Sequence, residues 1–233
     1  MESFWAVIPA AGVGRRMGAE RPKQYLEVAG KTILEHTISI FLENDKITGV
    51  VVSLSKDDPF WPTLSFSSQK PIMRADGGAQ RSDSVLNALA LLRQQAAPKD
   101  WVLVHDAARP CLSQDDLNKL ISEGVESASG ALLASPCRDT MKMSGSNRCV
   151  ENTIDRATLW HALTPQMFPL ETLVSALEST KHDGIEVTDD CMAMERMGFQ
   201  PLLVEGSAEN IKVTRPEDLG IAETVIERRE SNS

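Results

Sequence analysis

Hydrophobic and polar positions follow two rhythms along the first 135 residues, one typical of strands and one typical of helices. Short apolar, β-branched runs predict buried strands, whereas longer stretches with apolar residues three or four positions apart predict amphipathic helices. The predicted strands cover residues 4–9, 48–54, 71–75, 101–104 and 131–134, and the predicted helices cover residues 32–43, 82–95 and 114–127. This alternation predicts an α/β fold in which helices cover both faces of a mostly parallel sheet.

The rhythm breaks at residues 136–156, which are polar and carry a turn signal from Ser144 to Asn147 between strand-forming flanks. We interpret this segment as a projecting β-hairpin arm. Because a lone hairpin buries little of itself, we expect the arm to pack against a second copy of the chain in a homodimer. Beyond the arm, the pattern predicts helices at residues 169–179, 189–197 and 215–228 and a strand at 201–204. We treat residues 1–233 as a single domain that includes the arm.

Composition excludes several classes of protein. Hydrophobic residues make up 42% of the chain, which argues against disorder, and the formal net charge of -9 argues against a nucleic-acid partner. No apolar run approaches the ~20 residues that cross a membrane. An acidic start at Glu2 and a short apolar run do not resemble a secretory signal, so we expect a cytoplasmic protein. The four cysteines lack zinc-ligand spacing and are interpreted as reduced thiols.

Chemically rich segments follow three of the predicted strands, at residues 10–23, 76–81 and 105–110. Ligands of open α/β sheets bind beyond the carboxyl ends of the strands. The first segment has neither the spacing of a dinucleotide fingerprint nor that of a P-loop. It does bring four basic residues close to three glycines, which suits an anion such as a phosphate, although a solvated basic loop is the alternative. These basic residues are Arg15, Arg16, Arg21 and Lys23.

The other segments each allow a functional and a structural interpretation. Asp106 could hold Mg²⁺ beside a triphosphate or cap the next turn, and Arg109 could bind an anion or buttress Asp106. The segment DGGAQRSDSV combines a Gly-Gly turn at Gly77 and Gly78 with Arg81 and Ser84. The backbone groups of the glycines and the Ser84 hydroxyl could read the edge of a base, although a helix start capped by Ser82 or Asp83 explains most of the segment.

Lys212 stands between Ile211 and Val213, so we expect it to face inward toward an anion or a carboxylate. The sequence contains no recognised nucleophile motif, and His36, His161 and His182 are interpreted as structural or solvated.

The chain resembles the 2-C-methyl-D-erythritol 4-phosphate cytidylyltransferases of the non-mevalonate isoprenoid pathway. The segments that carry the resemblance include PAAGVGRRMGAERPKQY, DGGAQRSDSV, WVLVHDAARPC, RDTMK, IDRATLWHALTPQ, EVTDD and NIKVTRPEDL, spread over residues 9–219. The resemblance implies a Rossmann-like, three-layer nucleotidyltransferase fold. It also implies transfer of a cytidylyl group from CTP to 2-C-methyl-D-erythritol 4-phosphate.

The same resemblance implies roles for individual residues. It assigns the wrapping of CTP to Ala10, Ala11, Gly12 and Gly14, and catalysis at the phosphates to Arg16, Lys23, Lys212 and Arg156. It assigns contacts with the nucleotide to Gly78, Arg81 and Ser84. It assigns to Asp106 both a contact with the nucleotide and the binding of Mg²⁺. It assigns the acceptor site, completed by the arm of the other subunit of a homodimer, to Thr140, Arg156, Thr164 and Lys212. Glu209 is left unassigned.

The expected chemistry agrees with what the sequence lacks. A phosphomonoester oxygen attacks the α-phosphorus of CTP in line and expels pyrophosphate, and because this nucleophile is already an anion, no general base is required. Cations have to offset the repulsion between the two anions. Two alternatives stay open from the sequence: a ribitol 5-phosphate cytidylyltransferase, and a non-catalytic nucleotide-binding module.

Overall fold

The computed structural model describes residues 2–12 and 21–231. The strands are β1 (Phe4–Pro9), β2 (Glu27–Val28), β3 (Lys31–Thr32), β4 (Ile47–Leu54), β5 (Ile72–Asp76), β6 (Trp101–Val104), β7 (Ala131–Pro136), β8 (Met141–Ser144), β9 (Val150–Ile154), β10 (Trp160–Pro169) and β11 (Leu202–Glu205). The helices are α1 (Ile33–Glu43), α2 (Arg81–Leu92), α3 (Gln114–Gly124), α4 (Leu170–His182), α5 (Asp190–Arg196) and α6 (Glu217–Glu230).

Seven of these strands form the central sheet, in the order β11-β7-β10-β6-β1-β4-β5. All neighbours are parallel except β10, which runs antiparallel to both β6 and β7. The α/β fold with a mostly parallel sheet is therefore confirmed. The carboxyl ends of β1, β4, β5 and β6 meet at one edge, where the three chemically rich segments begin.

Side chains of the central strands alternate between two separate cores because successive residues of a strand point to opposite faces. On β1, Ala6 and Ile8 pack with α1 and α3 on one face of the sheet. Trp5 and Val7 pack with α2, α4 and α5 on the other face. Helix α1 starts cleanly because the Thr32 hydroxyl and the Glu35 carboxylate cap each other's backbone N–H groups. The helix layers hold the strand ends in fixed positions.

The sequence pattern missed β10, which occupies the centre of the sheet. Its sequence WHALTPQMFP includes two prolines and several polar residues, and a proline within a run argues against a central strand. The structure accommodates Pro165 with an irregularity: between Ala162 and Gln166 the strand advances four residues while its partner β7 advances two, from Ala134 to Leu132. The ladder is interrupted there, so Pro165 removes no ladder hydrogen bond. The extra residues include Thr164.

Strands β8 and β9 form an antiparallel hairpin inside the segment interpreted as the arm. Within the described residues 2–12 and 21–231, these two strands pair only with each other. Their turn is closed by a hydrogen bond from the Gly145 N–H to the Cys149 carbonyl, at 3.2 Å. Most of the hairpin is exposed, including Met143 and Val150.

The other predicted helices and strands are present, with ends shifted by up to three residues. All four cysteines are free thiols, as expected. Each helix in the described part of the chain is too short or too polar to cross a membrane.

Candidate functional site

A cavity of about 250 Å³ opens at the carboxyl edge of the sheet. Its walls come from the chain after β1, the turn between β5 and α2, the chain after β6, and the segment that precedes α6. The predicted site residues in its lining are Ala10, Ala11, Gly12, Lys23, Gly78, Arg81, Ser84, Asp106 and Lys212. Residues far apart in sequence are thus brought together as predicted, while Gly14, Arg15 and Arg16 lie outside the described residues.

Two glycines after β5 allow a close approach of the chain at this cavity: Gly78 lines it, and Gly77 lies against Ala11, another lining residue. A Cβ atom on Gly77 would lie 2.2 Å from the Ala11 Cβ, and one on Gly78 would lie 2.1 Å from the Asp83 Cβ. Both separations are far below van der Waals contact, so the close approach requires glycine. The Ser84 hydroxyl accepts a hydrogen bond from the Gly78 N–H at 3.0 Å, which fixes the turn.

The start of α2 differs from the expectation. Its N-cap is Gln80, not Ser82 or Asp83, because the helix begins one residue earlier, at Arg81. Asp83 still contributes, since its carboxylate accepts a hydrogen bond from the Gln80 N–H at 3.1 Å. The early start places Arg81 in the first turn, where its side chain reaches the end of β6.

Asp106, two residues after β6, is buried and surrounded by three cations. Its Oδ1 lies 3.1 Å from the Arg81 Nε, and its Oδ2 lies 2.8 Å from the Lys212 Nζ and 3.5 Å from the Arg109 Nε. Burial alone would raise the pKa of Asp106, but Arg81 and Lys212 hold it well below its usual range. The carboxylate is therefore ionised, and it contacts these cations instead of capping the next turn.

Arg109 buttresses Asp106, one of the two roles that the sequence allowed. Its guanidinium is buried and donates a second hydrogen bond, from Nη1 to the Asn210 carbonyl at 2.6 Å. Lys212 has the carboxylate partner that we expected, although its side chain is 40% exposed and so faces the cavity more than the interior. Arg109 thereby ties the segment that carries Lys212 to the end of β6.

Arg81 also contacts a residue that the sequence analysis did not single out. Its Nη1 donates to the Asp190 Oδ2 at 2.8 Å, and the Asp190 side chain is fully buried. Burial raises the pKa of Asp190, and the adjacent Arg81 opposes that shift. The signal was present in EVTDD, where two acids precede a short helix. The sequence could not show which strand end they meet, because their position depends on β10.

A neutral histidine, His105, bonds to two residues that in turn contact Asp106. His105 is fully buried, with Nε2 3.0 Å from the Arg109 carbonyl and Nδ1 2.9 Å from the Thr164 hydroxyl. Since a carbonyl only accepts, Nε2 carries the proton and Nδ1 accepts from Thr164. The same hydroxyl accepts from the Asp106 N–H at 3.1 Å. Burial lowers the pKa of His105 to about 4, which agrees with the neutral ring.

A second cavity of about 270 Å³ is also lined by the charged residues. It shares Arg81, Asp106 and Lys212 with the first cavity and adds Thr164 and residues of β10 and the chain before α5. The charged cluster therefore borders two spaces, which suits a reaction that joins two anionic substrates. Thr140 and Arg156 belong to the exposed arm region, and neither appears in the lining of these two cavities.

Lys23 reaches the first cavity from a short 3-10 turn, Lys23–Tyr25. The next residue, Gln24, is buried and donates from Nε2 to the Ala10 carbonyl at 2.7 Å, which joins this turn to the chain after β1. The Lys23 Nζ donates to the Val213 carbonyl at 3.3 Å. Lys23 and Lys212 thus approach the cavity from separate elements.

Asp106 is the residue whose chemistry fits a magnesium ion. Among the described residues, no three His, Cys, Asp or Glu side chains form a metal cluster. Mg²⁺ commonly binds one or two carboxylates together with substrate phosphates, so a single carboxylate at the cavity wall suffices. Glu209, left unassigned above, pairs with Arg228 at 2.5 Å and Arg229 at 3.3 Å instead.

Residues 4–228 match the family of 2-C-methyl-D-erythritol 4-phosphate cytidylyltransferases (IspD). The chain is 56% identical over 220 residues to the protein of that name from Pseudomonas putida (strain GB-1), covering 94% of each chain. It is 51% identical over 228 residues to the one from Vibrio vulnificus (strain YJ016), covering 98% of this chain and 96% of that one. Its fold is similar to the crystal structure of the Francisella tularensis 2-C-methyl-D-erythritol 4-phosphate cytidylyltransferase, with a TM-score of 0.82, 34% identity, and coverage of 96% and 100%.

Proposed function

The chain belongs to the 2-C-methyl-D-erythritol 4-phosphate cytidylyltransferase family, and from this premise we propose which of its residues carry out the reaction. The enzyme transfers a cytidylyl group from CTP to 2-C-methyl-D-erythritol 4-phosphate in isoprenoid precursor biosynthesis. The products are 4-diphosphocytidyl-2-C-methyl-D-erythritol and pyrophosphate. The relatives share the methylerythritol phosphate name, which decides against a ribitol 5-phosphate acceptor and against a non-catalytic module.

The assignment of roles is supported by four charged residues at the two cavities, called the Asp106 cluster below: Asp106, Arg81 and Lys212, which line both cavities, and Arg109, which lines the second. CTP occupies the first cavity, with its base against the Gly78 turn and its phosphates toward Lys23 and Lys212. The acceptor enters the second cavity, and its phosphate meets the α-phosphorus beside the shared residues. Three cations face the carboxylates of Asp106 and Asp190 there, an excess of positive charge that favours the approach of two anions.

Mg²⁺ is the metal that we propose for this site. Asp106 would hold it, and the bound ion would supply charge stabilisation to the phosphates of CTP. The protein residues orient the reactants: Arg81 and Arg109 fix the carboxylate, and His105 with Thr164 fixes the backbone of Asp106. Lys212 and Lys23 contribute their charges directly to the phosphates. Arg16, which lies outside the described residues, would act beside them.

The acceptor site is completed by a second subunit in this proposal. Thr140 and Arg156 lie in the exposed arm region, outside the linings of both cavities of their own chain, so a partner's cavity is where they would act. The Arg156 guanidinium suits the phosphate of the acceptor. We also place the reaction in the cytoplasm, because four free thiols are typical of a reducing compartment.

The reaction is tested by incubating the protein with CTP, Mg²⁺ and either 2-C-methyl-D-erythritol 4-phosphate or ribitol 5-phosphate, and identifying the products by mass spectrometry. We expect pyrophosphate release and a cytidine diphosphate adduct with the first acceptor. Product formation with ribitol 5-phosphate but not with 2-C-methyl-D-erythritol 4-phosphate would overturn the assignment.

The shared site is tested by mixing two inactive variants, Arg156→Ala and Lys23→Ala, under conditions of subunit exchange. Each mixed dimer has one site that lacks both groups and one intact site, so activity should return to roughly a quarter of the wild-type value. The matched control is Lys142→Ala, which removes another cation of the arm. This variant should be active on its own, without complementation. A mixture that stays inactive despite demonstrated exchange contradicts the shared site.

A further inference from the structure

The chain after β4 forms a turn that is joined to the wall of the first cavity by a hydrogen bond from the Ser55 hydroxyl to the Ala11 carbonyl, at 3.4 Å. Ser55 follows the strand, and its carbonyl accepts a hydrogen bond from the Arg74 guanidinium at 2.9 Å. The buried Asp58 carboxylate accepts from the N–H groups of Phe60 and Trp61, at 3.0 and 3.1 Å. These bonds hold the backbone of Phe60 in place at the start of a short 3-10 helix, Trp61–Thr63.

Phe60 makes two ring contacts that lead toward the cavity. Its ring centroid lies 5.0 Å from that of Tyr25, which is 2% exposed and packs in the core. The guanidinium carbon of Arg21 lies 5.8 Å from the same Phe60 centroid, within the range of a cation–π contact. Phe60 therefore contacts residues on both sides of Lys23, two positions before it and two positions after it.

The residues between these contacts form one compact turn. The Pro22 carbonyl accepts from the Tyr25 N–H at 2.9 Å, and the Lys23 carbonyl accepts from the Leu26 N–H at 3.1 Å. Gln24 is bonded to the Ala10 carbonyl at the cavity wall. A displacement of Arg21 or Tyr25 would therefore change the position of Lys23 relative to the cavity.

We propose that Phe60 is a positioning residue for nucleotide binding, and that it acts by holding Arg21 and Tyr25 so that Lys23 faces the phosphates of CTP. This inference rests on the role of Lys23 proposed above. Without Phe60, the turn spends part of its time in other positions, and the apparent affinity for CTP falls by the fraction of molecules in which it is misplaced. The acceptor lies in the other cavity, so its binding should be unaffected.

The test compares Phe60→Leu, which keeps apolar bulk but removes the π face, with Phe60→Tyr, which keeps both. We expect Phe60→Leu to raise the KM for CTP about two- to fivefold, with kcat and the KM for methylerythritol phosphate nearly unchanged. Phe60→Tyr should restore the KM for CTP. Trp61→Leu is the matched control: Trp61 belongs to the same turn but packs on Phe66, with centroids 6.0 Å apart. It should lower the melting temperature and leave both KM values unchanged.

A double-mutant cycle with Arg21→Gln isolates the contact itself. If the cation–π contact holds the turn, Arg21→Gln should raise the KM for CTP in the wild-type background and have little further effect in Phe60→Leu. Additive effects, an unchanged KM for CTP, or equal changes in both KM values would overturn the inference. Wild-type turnover by Lys23→Ala would instead overturn the proposed role of Lys23, so the two failures are distinguishable.

Discussion

The Asp106 cluster and the arm differ in how many of their side chains find partners within the same chain. Asp106 is buried and held by contacts from α2, the turn after β6, β10 and the segment before α6. The hairpin of β8 and β9 pairs only with itself within the described residues, and Met143 and Val150 are 44% and 63% exposed there. One region has its partners within the subunit, whereas the other leaves apolar and charged groups uncovered.

This difference separates residues whose role can be explained from one chain from residues whose proposed role requires a second copy. The cluster is preorganised: its ion pairs and hydrogen bonds are made between residues of the same chain, as electrostatic catalysis requires. In the dimer that we propose, the arm would gain its contacts by association, so its contribution would depend on protein concentration. Substitutions in the first region should therefore change stability and chemistry together. Those in the second should change association and leave the fold intact.

The largest effect is expected from Asp106→Asn. Removing this charge leaves Arg81, Arg109 and Lys212 without their shared carboxylate, and breaking a buried pair costs about 3–5 kcal/mol of unfolding free energy. For a chain of this size, that corresponds to a melting temperature lower by roughly 10 °C. Catalysis should be lost as well. Thermal unfolding and a pyrophosphate-release assay measure both effects.

The control for this prediction is Asp139→Asn, the same substitution at an exposed position of the arm. It should change the unfolding free energy by less than about 0.5 kcal/mol. If Asp106→Asn is as stable as Asp139→Asn, the charged cluster does not contribute to the fold in the way the geometry implies.

A smaller effect concerns pH and His105. The folded protein keeps this ring neutral down to a pH of about 4, whereas an unfolded histidine takes up a proton near pH 6.5. Between these values the unfolded chain binds more protons, so stability falls as the pH falls. From pH 7 to pH 5, this ring should account for about 2 kcal/mol of lost unfolding free energy.

Urea unfolding of wild type and His105→Gln at the two pH values checks this expectation. The variant should lose less stability on acidification than the wild type. The matched histidine-to-glutamine control is His182→Gln, at a side chain that is 90% exposed. An equal loss in wild type and His105→Gln would show that other groups control the acid response.

The cluster also shows how far the sequence could predict the site. Strand ends and charged segments predicted that Lys23, Arg81 and Asp106 would meet, because parallel strands place their carboxyl ends at one edge. The place of Lys212 beside them was implied only by the family resemblance. The role of Arg109 was one of two that the sequence allowed. The sequence pattern does not show which residues from distant segments contact each other in the folded chain. Asp190 reaches Arg81 only because of the position of α5.

Strand β10 is the clearest failure of the pattern. Its prolines and polar residues contradict a central strand, and its place between β6 and β7 is fixed by tertiary contacts. Two of its polar residues have partners that only the folded chain supplies: Gln166 bonds to Asp189 at 2.9 Å, and Thr164 bonds to the backbone of Asp106. The irregularity in this strand is the feature that brings Thr164 to the site.

The smallest effect on the fold, and the most direct test of the comparison, is expected from Val150→Ser in the arm. Val150 is 63% exposed in one subunit, so its substitution removes little from the folded chain, and unfolding should change by less than about 0.5 kcal/mol. If the side chain is covered in a dimer, losing it should raise the dissociation constant about tenfold. Sedimentation over a range of concentrations measures this, with Ile221→Ser on α6 as the control, since Ile221 is 52% exposed outside the arm. Activity of the variant should fall on dilution, because Thr140 and Arg156 would leave the partner's cavity as the subunits separate. A wild type that is monomeric and fully active at all concentrations would show that the arm acts within its own chain, and the contrast between the two regions would then fail.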